Sequence, residues 1–333
     1  MQVPNASAAR VTPILLLILS VSALIALHNF ATINMSSRVV QGKLTENGAE
    51  QSIALAHATL RGEYSTDPIQ TRPFVPALAW LVSRVIDRPE WNVFTVEFAA
   101  ALAASVATWL LARDTLRTDV GRLGFLLMFS LVMLATQKDR RLGDLFSIAF
   151  FAYGLRRMQH SAADGQVRIV ATIALFVLGT AIRFDLACVL VLVGALEAWR
   201  CRSGPLAWRS VVAAVVSVTS YWTIVQIYGV HDLMAATVYS SPGELRLSQL
   251  TSVGAWLSVL ALLNVALAAP FVSAAARRRM RAPLFATGTY AALLPVVGNM
   301  SEYRLWLPFA LVLWLCAALH VEGQRADVAP LGS

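Results

Sequence analysis

"IVATIALFVLGTAIRFDLACVLVLVGALEAW" runs from Ile169 to Trp199, two apolar runs that meet at Arg183-Phe184-Asp185. Each run, 169–182 and 186–199, is a helix of about 14 residues. At about 1.5 Å per residue such a helix reaches about 21 Å, short of a hydrocarbon core about 30 Å thick. The pattern therefore reads as a helical hairpin in a membrane, its charged tip held below the far surface. Charges at that depth are costly unless they line a wet cavity or pair with one another.

Outward from this hairpin the pattern repeats. Apolar runs of helix length recur at 14–29, 91–112, 123–137, 144–155, 169–182, 186–199, 210–229, 253–274, 283–299 and 305–320, which makes about ten candidate crossings. The chain is 57% hydrophobic and only 14% charged, where a soluble domain carries about a quarter charged residues. Its mean hydropathy is +0.63. The fold class expected is an all-α polytopic membrane protein, one membrane domain over 1–333. The run 14–27, preceded by Arg10, also fits a signal peptide, but a retained first helix gives the better charge balance.

The first outer loop occupies 29–90. Its polar part ends at Arg72, and "PFVPALAWLVSRVI" at 73–86 follows. That segment is too short to cross and holds Arg84 and two prolines, so it reads as an interfacial or re-entrant helix. Cys188, Cys201 and Cys316 lie in apolar runs or at a helix end and support neither a disulfide framework nor a metal cluster. The five histidines show no ligand spacing.

Net charge is +8. Nucleic acid is not the implied partner, because the charge is sorted by side. With the N-terminus inside, the inner segments hold fifteen basic and six acidic residues, and the outer segments hold twelve basic and thirteen acidic. Lys and Arg accumulate on the cytoplasmic side of membrane proteins, so both termini are expected in the cytoplasm. An alanine- and arginine-rich composition points to the inner membrane of a GC-rich bacterium.

Four separate parts of the chain bring charge to the outer face: Glu46, Glu50, Glu63, Asp67 and Arg72; the turn Lys138 to Asp144; Arg183 with Asp185; and Glu302 with Arg304. Guanidiniums offer a planar fork to phosphate, and a carboxylate can take a proton from a hydroxyl. Each residue also has an ordinary reading. Glu46 and Glu50 serve equally as solvated loop acids near a helix start, and Arg72 as a snorkelling anchor. Arg183 with Asp185 and Glu302 with Arg304 serve as ion pairs pinning turns. Residues two apart on a helix do not face each other, however, so each charge is expected to seek another partner.

The stretch "ENGAEQSIALAHATLRGEYSTDPIQTRPFVPALAWLV" from Glu46 resembles the first outer loop of GT-C class membrane glycosyltransferases, in which an acid precedes an "RPLxP"-like element and an apolar helix. "TRPFVP" at Thr71 to Pro76 matches that element. "IRFDLA" is similar to the family's charged hairpin tip, and "SEYRLWLPF" resembles its late "ExRxxxPxxP" element with the second proline missing. The loop has Glu where Asp is common, and no DxD-type pair supports a divalent metal.

This resemblance implies a polyprenyl-phosphate-linked sugar as donor, a glycan or lipid hydroxyl as acceptor, and inverting transfer at the outer, periplasmic face. It makes Glu46 the general base and has Arg72, Arg183 and Arg304 hold the lipid phosphate. Asp185, Glu302 and Glu50 would be supporting substrate-binding residues. A transporter or flippase for lipid-linked sugars or other anions is the alternative, with a structural subunit behind it. A transporter is expected to show related halves and charges near the midplane, and neither is evident in the sequence.

Overall fold

The computed structural model describes residues 14–28, 73–136, 143–164, 169–228, 252–297 and 303–328. Every described apolar run is helical, and no strand occurs among the described residues. In chain order the helices are α1 (Ile14–His28), α2 (Phe74–Ser83), α3 (Pro89–Thr115), α4 (Asp119–Ala135), α5 (Leu145–Asp164), α6 (Ile169–Cys201) and α7 (Gly204–Tyr228). They continue with α8 (Val253–Leu263), α9 (Ala269–Val272), α10 (Ala274–Arg279), α11 (Arg281–Val297) and α12 (Leu307–Val328). By length and composition alone, four segments among the described residues are long and apolar enough to cross a membrane: Trp91–Thr115, Ile169–Cys201, Gly204–Ile227 and Leu307–Gln324.

Helix ends follow from local chemistry. Proline at the first position opens α3, where its missing N–H costs nothing. Thr118 caps α4, its Oγ1 accepting from the Gly121 N–H at 3.1 Å. The Glu322 carboxylate of α12 accepts from the N–H groups of Arg117 and Thr118 at 3.0 and 2.8 Å and from Thr118 Oγ1 at 2.7 Å. An anion at a helix N-terminus satisfies otherwise unpaired donors and complements the helix dipole, so one side chain ties α12 to the α3–α4 corner.

The expected crossing at 253–274 is not one helix. Asn264 has φ 45°, its own Oδ1 accepts from the Val265 N–H at 2.7 Å, and a 3₁₀ turn at Asn264–Ala268 separates α8 from the one-turn α9, which begins next to Pro270. The asparagine side chain competes with the helical ladder and lets the backbone enter the left-handed region. At 73–86 the helix formed is α2, ten residues long and too short to cross. Its Ala79 carbonyl accepts from Asn92 Nδ2 at 2.8 Å, and Phe74 meets Phe146 edge-on at 5.1 Å, so α2 lies against the starts of α3 and α5.

Small residues set the helix spacing. Gly154 of α5 is covered by Leu190 of α6, Gly194 of α6 by Met158 and by Ser210 of α7, and Gly179 by the ring of Phe150. Added Cβ atoms at these three glycines would overlap those side chains, which is the close approach that membrane helix pairs use.

These pairs also decide the path of α6. Gly154 with Leu190 and Met158 with Gly194 make the second part of α6 parallel to α5. If α6 were straight, Ile169 would stand about 47 Å along the bundle from Asp164 at about 1.5 Å per residue. The four residues between them span about 18 Å fully extended, so a straight α6 cannot connect. At Arg183 the backbone is extended, φ −161° and ψ 103°, and the chain turns back there. Phe176 of the first arm accordingly meets Phe150 edge-on at 6.1 Å, only one turn from where the second arm covers Gly154. The hairpin of 169–182 and a second arm, 184–201, is the arrangement the sequence led one to expect.

Charge is sorted along the bundle. Arg113, Arg117, Arg122, Arg156, Arg157, Arg200, Arg202, Arg209, Arg277, Arg278, Arg279 and Arg281 share one end. Its cross-links include Arg156 to Asp114, and Arg279 to the Asp114 carbonyl at 3.5 Å. At the opposite end lie α2, the α6 tip and the start of α12.

Candidate functional site

The site at that opposite end is built on the break in α6. Arg183 Nε donates to Asp185 Oδ1 at 3.0 Å, and Nη2 donates to Asp185 Oδ2 and to Tyr290 Oη, the latter at 2.7 Å. Tyr290, from the middle of α11, donates to Asp185 Oδ2 at 2.9 Å and closes a ring of three side chains. The expectation that residues 183 and 185 look away from each other is corrected here. It assumed a helical backbone, whereas the extended residue at 183 swings its guanidinium onto the carboxylate two positions on.

Burial differs within the pair, with 3% of the Arg183 side chain exposed against 39% of Asp185. The cation is thus inside and the anion open. Arginine carries five N–H groups; among the described residues the Nη1 donors of Arg183 meet no acceptor. Phe184, between the two, stacks on Tyr221 of α7 at 4.3 Å and fixes the tip laterally. One turn earlier Thr180 is fully buried, with an Oγ1 that has no hydrogen-bond partner among the described residues.

Unlike that of Asp185, the carboxylate of Glu97 is buried. Glu97, 2% exposed, lies within the apolar span of α3 and accepts from the Gly143 N–H at 2.8 Å. Gly143 has φ +69° and Val75 of α2 presses where its Cβ would be, so only glycine suits both the conformation and the space. The next residue, Asp144, adds its negative field at Arg183. The Gly143-Asp144 turn is thus tied to α3 by a hydrogen bond. Asn92, also on α3, has a buried Oδ1 without a partner among the described residues.

Of the residues singled out from sequence, Arg183 and Asp185 are brought together. Arg304 sits on the 3₁₀ turn Tyr303–Trp306 that leads into α12. Phe309, near the start of α12, borders Gly288 of α11, so α12 begins beside the stretch of α11 that carries Tyr290. Glu46, Glu50, Arg72 and Glu302 lie outside the described residues. Glu97 and Tyr290 were missed. Glu97 carried a signal, an acid inside a 25-residue apolar span, which is by itself a marker of function. Tyr290 carried none, because its partners are more than a hundred positions away.

Among the described residues no three His, Cys, Asp or Glu side chains converge as metal ligands would. No family model, curated protein or solved structure matches this chain. The chemistry of the cluster is that of a fixed guanidinium, with two donors unused among the described residues, paired with a partly open carboxylate and a phenol. In a low-dielectric setting the fields of such charges are strong.

Proposed function

We propose that this chain is a multi-pass glycosyltransferase of the GT-C kind, which moves a sugar from a polyprenyl-phosphate donor to an acceptor hydroxyl at the outer face. In this reading the chain crosses a bacterial inner membrane about ten times with both termini cytoplasmic, and the basic end faces the cytoplasm. The observation that carries the proposal is Arg183, a buried guanidinium held by Asp185 and Tyr290 with Nη1 unused among the described residues.

Glu46 takes the acceptor proton as the acceptor oxygen bonds to the anomeric carbon. The carbon–oxygen bond to the lipid phosphate breaks on the opposite side, inverting the centre. Negative charge gathers on the departing phosphate, and Arg183, with Arg72 and Arg304, neutralises it. Removing one preorganised donor from such a site costs about 3 kcal/mol, or about a hundredfold in rate.

The test is transfer of radiolabelled sugar from a polyprenyl-phosphate donor in proteoliposomes. Glu46→Gln should bind donor and fail to turn over, and Arg183→Gln should lose about a hundredfold in rate. Full activity in both variants would overturn the assignment.

The transporter or flippase reading has one observation in its favour, a broken helix with charge at the break, the device transporters use for substrate sites. It predicts that labelled lipid-linked sugar changes leaflet without label leaving the lipid, which the same proteoliposomes report.

A further inference from the structure

The second arm of α6 and the start of α7, joined at the basic end through Arg202 and Ser203, flank an outward-facing groove of about 480 Å³. Its walls are Val191, Ala195, Ala198, Ala207, Val211 and Ala214, and its mouth is Trp199 and Arg202. We infer that this groove holds one acyl chain of an anionic phospholipid from the leaflet at the basic end, with the lipid phosphate on the Arg202 guanidinium.

Length, charge and local backbone support it. From Val191 to Arg202 the groove runs about 17 Å at about 1.5 Å per residue, close to the roughly 15 Å half-thickness of a hydrocarbon core. The acyl chain therefore ends where the groove ends. At the mouth Arg200 is neutralised by Glu197 at 2.6 Å, but among the described residues Arg202 has no carboxylate partner. Trp199, 82% exposed, stands at the level where indoles sit among head groups.

Arg202 also occupies an expensive position. Its φ is 48°, the Ser203 N–H donates to the Ala198 carbonyl at 3.0 Å, and its own N–H donates to Trp199 at 3.3 Å. This is the helix-ending pattern in which glycine is usual, because a side chain is strained there. An arginine in that place puts a guanidinium at the groove mouth at a cost in backbone energy. The inference is independent of the transferase reading, since it concerns the opposite end of the bundle.

The test is native mass spectrometry of the full chain in detergent, titrated with phosphatidylglycerol and, separately, phosphatidylcholine. Wild type should retain phosphatidylglycerol in preference. Arg202→Gly, which suits the backbone and should melt no lower than wild type, should weaken that retention at least about tenfold, the worth of a charge-assisted contact. Arg202→Lys should restore part of it. Ala195→Phe, which fills the groove from its open side, should weaken retention of both lipids. Unchanged phosphatidylglycerol binding in Arg202→Gly and Ala195→Phe would overturn the inference. So would a shift from dimer to monomer in Ala195→Phe without loss of lipid, because the groove would then be a contact between two copies.

Discussion

Removing the anion from the Arg183–Asp185 pair should cost far more than removing the cation. In Asp185→Ala the guanidinium of Arg183 stays where only 3% of its side chain meets solvent, without the carboxylate that accepts from its Nε and Nη2 and from Tyr290. A buried charge left without its partner costs about 3–5 kcal/mol. The Asp144 field and the Tyr290 hydroxyl offset part of that, so about 3 kcal/mol is expected. In Arg183→Met the stem volume is nearly kept and the remaining carboxylate is 39% exposed, so it rehydrates and the loss is about 1 kcal/mol. For a chain of this size each kcal/mol moves a melting midpoint by about 2 °C, so the two variants should fall about 6 °C and about 2 °C below wild type. Thermal melting in detergent at one fixed scan rate reads both. Equal shifts, or a larger loss in Arg183→Met, would refute the reasoning, because the asymmetry follows only from which partner is buried.

At Glu97 the contrast is between isostere and hydrocarbon: Glu97→Gln keeps an acceptor for the Gly143 N–H and should lose under about 1 kcal/mol, whereas Glu97→Leu strands that donor and should lose about 2 kcal/mol in the same melting assay. Gly179→Ala should destabilise by overlap with the Phe150 ring, and Phe150→Leu should rescue it; a double-mutant cycle should return a coupling of about 1–3 kcal/mol, and additivity would place the two apart. Glu322→Ala removes the acceptor for three donors at the α3–α4 corner and should cost about 1–2 kcal/mol, with faster amide exchange at Arg117 and Thr118 as the local signature.

Much of the architecture was legible because a bilayer makes strong demands on sequence. Backbone polar groups must be satisfied within each segment there, so apolar runs of this length are helices, and every described one is. The hairpin of α6 was legible for a second reason: two runs of about 14 residues around "RFD" are each too short to cross; that the chain turns back there, and does not run on as one straight helix, is decided by its packing against α5. The break at Asn264 was not, since an asparagine in an apolar run is a weak signal until the backbone is seen to leave the helix.

At the candidate site, sequence pointed to Arg183 and Asp185 as charges costly at that depth unless they pair or line a wet cavity. It misjudged how they meet, because facing rules for helices fail at an extended residue. By itself, then, the amino-acid sequence determined the all-helical class of fold, the apolar character of its helices and the segregation of basic residues to particular helix ends, all of which depend on composition and local periodicity. Tertiary structure alone decided that Tyr290 joins Arg183 to Asp185, that Glu97 receives the Gly143 N–H, and that Arg202 stands at an apolar groove. Those are meetings of residues far apart in the chain or turned by one unusual backbone angle, and no local pattern encodes them.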